Sequence, residues 1–143
     1  MTNQYLQIRL PPHWSEVQNS DPTQFTFSSP STNSHITASY EPINVRADRL
    51  KQVIEKFVEF RMQGEAQAAF PRKLRLRAIE FKENEKGGHQ VIYSGSDEEG
   101  KYHYSFFGVA LQNKLLSVFC ESDDSTAAQN GKAFDEALEG LTY

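Results

Sequence analysis

Apolar positions along this chain follow two periods, and the switch between them marks out its elements. Near the start, Leu6, Ile8 and Leu10 alternate with Tyr5, Gln7 and Arg9, which predicts a half-buried strand. Pro11 and Pro12 offer no backbone N–H and end it. Trp14 is placed to plug the edge of the core where the chain turns. Phe25 and Phe27 share one side of a second short strand, Gln24 to Phe27, and His35 to Tyr40 alternates again as a third. After Pro42 the period changes. Leu50, Val53, Ile54, Phe57 and Val58 recur as one helical stripe, with Lys51, Gln52, Glu55, Lys56 and Glu59 turned away from it. Asp48 falls in the first turn, where the helix dipole favours a carboxylate. The helix weakens near Gly64 and ends before Pro71.

Beyond Lys73 the pattern returns to strands joined as hairpins. Strands are expected over 72–82, 89–95, 101–111 and 114–121, with turns at Gly87-Gly88, Asp97 to Gly100 and Gln112-Asn113. Asp123, Asp124 and Ser125 are cap candidates for a last helix whose apolar positions are Phe134, Ala137, Leu138 and Leu141. The order of three strands, helix, meander and helix predicts an α+β domain. Its antiparallel sheet has about six to seven strands, with a long helix after strand three and a C-terminal helix packed on it. No repeat or linker divides the chain, and 143 residues suit a single domain, 1–143.

Turn length then sets the faces. With even connections throughout the meander, Leu74, Leu76, Ala78, Val91, Tyr93, Tyr102, Tyr104, Phe106, Leu115 and Phe119 form one apolar face, for which the long helix is the natural cover. The opposite face has two ends. The apolar end carries Ile79, Phe81, Ile92, Phe107, Val109, Leu116 and Val118, and the polar end carries Lys73, Arg75, Arg77, Ser94, Lys101, His103 and Ser105. In this register Arg77, Ser94 and His103 form one row, with Arg75 and Lys101 in the next. Arg75, Arg77, Ser94, Lys101 and His103 are therefore candidates to receive an acidic segment or an anion. Ile92, Phe107, Val109 and Val118 are either core beneath the last helix or an open groove for an apolar segment of another chain.

Composition narrows the partners. A net charge of −4 gives electrostatics no reason to favour nucleic acid. Cys120 is the one cysteine, so there is no internal disulfide, and it reads as a buried thiol within a strand. No basic and apolar leader opens the chain, and no apolar run approaches the roughly 18 residues of a membrane span. The expectation is a cytoplasmic protein without membrane insertion.

Chemistry-bearing motifs are missing. His13, His35, His89 and His103 lie at no metal-ligand spacing, and neither nucleophile-elbow nor phosphate-loop sequences occur. The acidic loops at Asp97 to Glu99 and Glu121 to Asp124 lack the spacing of a calcium loop. No metal, cofactor or catalytic group is expected.

Ile8 to Trp14, reading IRLPPHW, together with FTF at Phe25 to Phe27, HITASY at His35 to Tyr40 and the helix after Pro42, resembles the opening of the PsbP-like fold. That superfamily contains photosystem II extrinsic subunits, the Ran-binding Mog proteins and the bacterial DcrB-like proteins. Within the DcrB-like branch the size is similar to that of Eag-type chaperones of type VI secretion. The resemblance implies a homodimer that shields apolar helices of effectors. Where that branch follows its tryptophan with an acidic-Arg-Ser phrase, this chain reads Ser15 to Asn19, SEVQN, so no site residue is carried over.

The expected function is thus a non-enzymatic, protein-binding adaptor or chaperone, linked through the resemblance to bacterial secretion. Two other classes stay open: a small anion or ligand binder, or enzyme, using Arg77, Ser94 and His103, and an immunity-type inhibitor of a toxin.

Overall fold

Two helices cover opposite faces of one antiparallel sheet. The computed structural model describes residues 7, 8, 10, 14–17, 23–29, 34–66, 74–97, 100–123 and 127–143, the side chains of 62–66, 74–78, 123 and 127–130 aside. The strands are β1 (Ser15–Val17), β2 (Gln24–Ser29), β3 (Ser34–Pro42), β4 (Leu74–Glu83), β5 (His89–Asp97), β6 (Tyr102–Ala110) and β7 (Lys114–Asp123). Their order in the sheet is β1-β2-β3-β7-β6-β5-β4. Helix α1 (Leu50–Ala66), entered through a 3-10 turn at Ala47–Arg49, follows β3, and α2 (Ala127–Glu139) follows β7.

Half of the expected opening strand, Tyr5 to Leu10, lies outside the described residues. Within it Gln7 makes an isolated antiparallel bridge with Thr142, and Ile8 is buried. A strand not foreseen, β1, pairs with β2 instead. Trp14, just before it, is buried in the core as expected.

Helix α1 buries Leu50, Ile54 and Val58, one residue per turn, against Val91, Tyr93, Tyr104, Phe106 and Leu115. Gly108 leaves room for the Phe106 ring beneath α1. A Cβ there would stand 2.8 Å from that ring and 3.4 Å from Ile54 Cδ1, so even alanine would force the ring to shift, while its contact with α1 would be an ordinary one. On the other face α2 lays Ala133, Phe134 and Ala137 on Ile36, Ala38, Phe107, Val109, Leu116, Val118 and Cys120. Strands β6 and β7 are central and lie between both helices. Adjacent residues such as Phe106 and Phe107 are therefore buried on opposite sides.

Helix α1 packs on β5 and β6, so the same face of β2 and β3 is left to hydroxyl-bearing and amide residues. Gln24, Thr26, Ser28, Thr37 and Ser39 are half-buried there, and Ser39 and Ser117 share a 2.6 Å hydrogen bond between hydroxyls. Among the described residues no helix is long and apolar enough to cross a membrane.

Candidate functional site

Strand register decides which predicted residues meet. The β5–β6 and β6–β7 turns are even, as expected, and Val91, Tyr93, Tyr104, Phe106 and Leu115 do share the α1 face. The β4–β5 connection, residues 84–88, is odd, and a register shift falls between Leu76 and Ala78. Each irregularity inverts parity once. Leu74 and Leu76 pair with Asp97 and Gly95, in step with Tyr93, as the even register required. Beyond the shift, Ile79 and Phe81 pair with Tyr93 and Val91, and Ala78 pairs with Ser94. Ile79 and Phe81 therefore belong to the α1 face, at the sheet edge and over 40% exposed (42% and 44%), not to the apolar end of the opposite one.

The polar end is re-sorted by the β5–β6 register, which slides by two residues without changing parity. His103 pairs with Ser96 and Ser122, and Ser96 with Arg75. The row across the sheet is Arg75, Ser96, His103, Ser122 and Ser34, not Arg77, Ser94 and His103. Ser94 pairs with Ser105 and Ala78 one row away, Arg77 sits at the bulge, and Lys101 lies in the turn before β6. Ser29, Ser34 and Ser122 at the far end of this row are buried. Hydroxyls beside an imidazole can hydrogen-bond an oxyanion.

The turn holding Lys101 is organised by Asp97. Its Oδ1 accepts the backbone N–H groups of Lys101 at 2.9 Å and Tyr102 at 3.3 Å, and Gly100 turns back with a φ of 72°, which glycine adopts without strain. His103 Nε2 lies 3.0 Å from the Gly100 carbonyl, which can only accept, so Nε2 carries the proton. Desolvation raises the Asp97 pKa, but the N–H groups of Tyr102, Lys101 and Gly100 and the charge of His103 outweigh it and hold the carboxyl below its usual value. The folded state thus favours the carboxylate. Its contribution is fully present above about pH 4 and is lost as pH falls through the lowered folded value. Asp97→Ala is expected to lower the melting temperature at pH 7, and the gap from wild type to shrink below about pH 4. A gap independent of pH would show that the turn does not depend on the carboxylate charge.

Of the four residues expected at the apolar end, Phe107, Val109 and Val118 are buried, and the core that encloses them includes α2 residues. Val109 and Val118 belong to the core that includes α2, and a partner could reach them only by displacing that helix. Ile92 is half-buried. Together Ile92 and Phe107 form the floor of a cleft of about 610 Å³ between the β4–β5 hairpin and the chain after α2. Leu138 and Leu141 close its apolar side, and Lys82, Glu83, Asn84 and Gln90 its polar side.

A hydrogen-bond network missed by sequence reasoning fixes the polar wall. Asn84 Nδ2 donates to Gln90 Oε1 at 2.7 Å and to Tyr143 Oη at 2.9 Å, while Asn84 Oδ1 accepts the Lys86 N–H at 2.9 Å. The backbone N–H requires an oxygen, so the amide orientation is settled by this geometry. Lys86 Nζ donates to the Tyr143 carbonyl and stands 4.7 Å from the ring centroid, and Lys114 Nζ approaches the same ring at 6.0 Å. Burial, and then the neighbouring Lys86 charge, push the Lys114 pKa down. The sequence signal for Asn84 was a polar residue three positions before Gly87-Gly88, which marks a turn but not a wall. Tyr143 carried no signal at all. Among the described residues no group of three or more His, Cys, Asp or Glu is placed to hold a metal ion.

No protein-family model matches the chain, nor does any curated protein. Solved structures do. The solution structure of cyanobacterial PsbP (CyanoP) from Synechocystis sp. PCC 6803 superposes with a TM-score of 0.64 at 13% identity, covering 96% of this chain and 91% of that one. A crystal structure at 1.50 Å resolution from Bacteroides thetaiotaomicron VPI-5482 superposes with a TM-score of 0.53 at 13% identity, covering 96% of this chain but 44% of that one. The protein has a PsbP-like fold. At this identity the likeness carries the fold and nothing more.

Proposed function

We propose that the protein is a non-enzymatic adaptor or chaperone that takes an apolar segment of a partner protein in the cleft beside α2. The observation that supports this most directly is the cleft itself. It has an apolar floor of Ile92 and Phe107, an apolar wall of Leu138 and Leu141, and a rim of amides and charges. Such a combination suits an apolar side chain inserted from a segment whose backbone stays near water. The resemblance of IRLPPHW and the following strands to the PsbP-like superfamily, together with a size similar to that of its Eag-type chaperones, favours an effector of a bacterial secretion system as the partner.

The test uses a fluorescein-labelled, leucine- and phenylalanine-rich helical peptide of about 15 residues, followed by polarisation. Saturable binding is expected, changing little between low and high salt because burial of apolar surface is not screened. Ile92→Asn, checked for folding by circular dichroism, is expected to weaken it roughly tenfold, the scale of one apolar side chain's transfer. Binding that the substitution leaves intact, or that high salt abolishes, would count against the cleft.

A further inference from the structure

Tyr143 is seated in the cleft in the way a bound ligand would be. Its hydroxyl takes a hydrogen bond from Asn84, whose other contacts hold that donor in place. Its ring stands 6.4 Å from that of Phe107, tilted by 50°, with two ammonium groups near it. Its carbonyl accepts from Lys86. The backbone just before it is tied to the body by one antiparallel bridge, in which Gln7 and Thr142 exchange hydrogen bonds of 2.7 and 2.8 Å. Space lined by Tyr143 itself remains open in the same cleft.

Each of these contacts recognises a feature of a phenol on an extended backbone: the hydroxyl by a fixed amide, the π-face by cations, the ring by a tilted aromatic neighbour. Lys86 and Lys114 repel each other, and a ring near both ammonium groups lessens that cost. An empty subsite would take the Tyr143 hydroxyl from the second Asn84 donor and the ring from beside the Lys86 ammonium. The geometry points to a phenol-binding subsite in this cleft, which Tyr143 fills in cis and which the tyrosine side chain of an incoming partner segment fills when Thr142 and Tyr143 swing out. This rests on the adaptor reading for the partner, but the subsite stands on the contacts of Tyr143. A single bridge is a weak tether, so displacement by a competing segment requires little rearrangement.

The experiment removes the internal ligand and restores it in solution. In Tyr143→Ala, p-cresol is expected to raise the melting temperature saturably, as a small aromatic does when it fills an engineered cavity, and the wild type is expected not to respond. Toluene, without the hydroxyl, should bind roughly 3- to 10-fold more weakly, the value of one hydrogen bond to the amide. Adding Asn84→Ala should make the two probes equal. A folded Tyr143→Ala protein indifferent to p-cresol would overturn the proposal. Should that variant not fold, the wild type is titrated with acetyl-Leu-Thr-Tyr-amide. A saturable shift of the Asn84 side-chain amide resonances, several-fold weaker with phenylalanine in place of tyrosine, supports the subsite, and its absence at millimolar peptide overturns it. Cresol rescue without binding of the apolar peptide would remove the adaptor reading alone. Peptide binding without cresol rescue would remove the subsite alone.

Discussion

Replacing Phe106 by alanine is expected to lower the unfolding free energy by roughly 3–5 kcal/mol, the range for deleting a buried phenylalanine ring. Phe106 has no exposed surface and lies where α1 meets the sheet. Its ring stacks on Tyr93 at 4.7 Å and meets Phe57 of α1 at 5.8 Å. The Arg61 guanidinium, also from α1, stands 4.7 Å from the Phe106 centroid and 4.9 Å from that of Phe119. Arg61 Nε is buried without a hydrogen-bond partner among the described residues, so these two rings are its principal compensation for lost water. Alanine would open a cavity and take from the guanidinium one of its two rings. Leucine, which keeps most of the apolar volume and has no ring, is expected to cost about 1–2 kcal/mol. Urea unfolding measures both. Against the usual 5–15 kcal/mol of a domain, the alanine variant should be markedly destabilised. A cost under about 1 kcal/mol would mean that α1 is not held to the sheet through this residue.

Val109→Asp is expected to abolish cooperative folding at pH 7. Val109 has no exposed surface, pairs with Leu116 and Gln90, and belongs to the core that includes α2. A carboxylate there would be buried without a counter-charge, one of the few single changes that exceed ordinary stability margins. Val109→Thr preserves the shape and adds one hydroxyl, so it should cost only about 1–3 kcal/mol. Thermal melts of the two variants also separate the readings left open for the apolar end. A Val109→Asp protein that melts cooperatively near the wild-type temperature would show that α2 leaves this face and that the groove is open.

Elements were more legible in the chain than faces were. The helix stripe from Leu50 to Val58 and the alternation in β5, β6 and β7 are periodic, and period survives any tertiary context. Faces depend on counting residues through turns. The counts hold across Asp97 to Gly100 and Gln112-Asn113, so the α1 face of β5–β7 was correctly composed. They fail across residues 84–88 and at the bulge beside Arg77, because neither an odd turn nor a bulge leaves a mark in hydrophobic periodicity. The odd turn moved Ile79 and Phe81 to the other face, while Arg75 rather than Arg77 joins the row of His103 because β5 pairs with β6 two residues further along, Ser96 and not Ser94 lying opposite His103.

The candidate site was half legible. Ile92 and Phe107 stood out as apolar positions on the α2 side of the meander and do form the cleft floor. Val109 and Val118 stood out for the same reason, yet α2 covers them, since sequence cannot say how far along a sheet a helix reaches. Asn84, Lys86 and Tyr143 were invisible because their meaning is a contact between residues up to 59 positions apart.

Taken alone, the sequence determined what local physics controls. Alternating apolar residues make strands, a stripe of i and i+4 residues makes α1, prolines and glycines place the ends, and the α+β architecture with antiparallel pairing follows. The tertiary structure alone decided what depends on register and on distant contact: which row His103 joins, which apolar residues α2 buries, and the seating of Tyr143 against a hairpin and two lysines. The physical reason is that side-chain direction inverts with every residue inserted in a strand, so a single bulge outweighs any composition signal downstream of it.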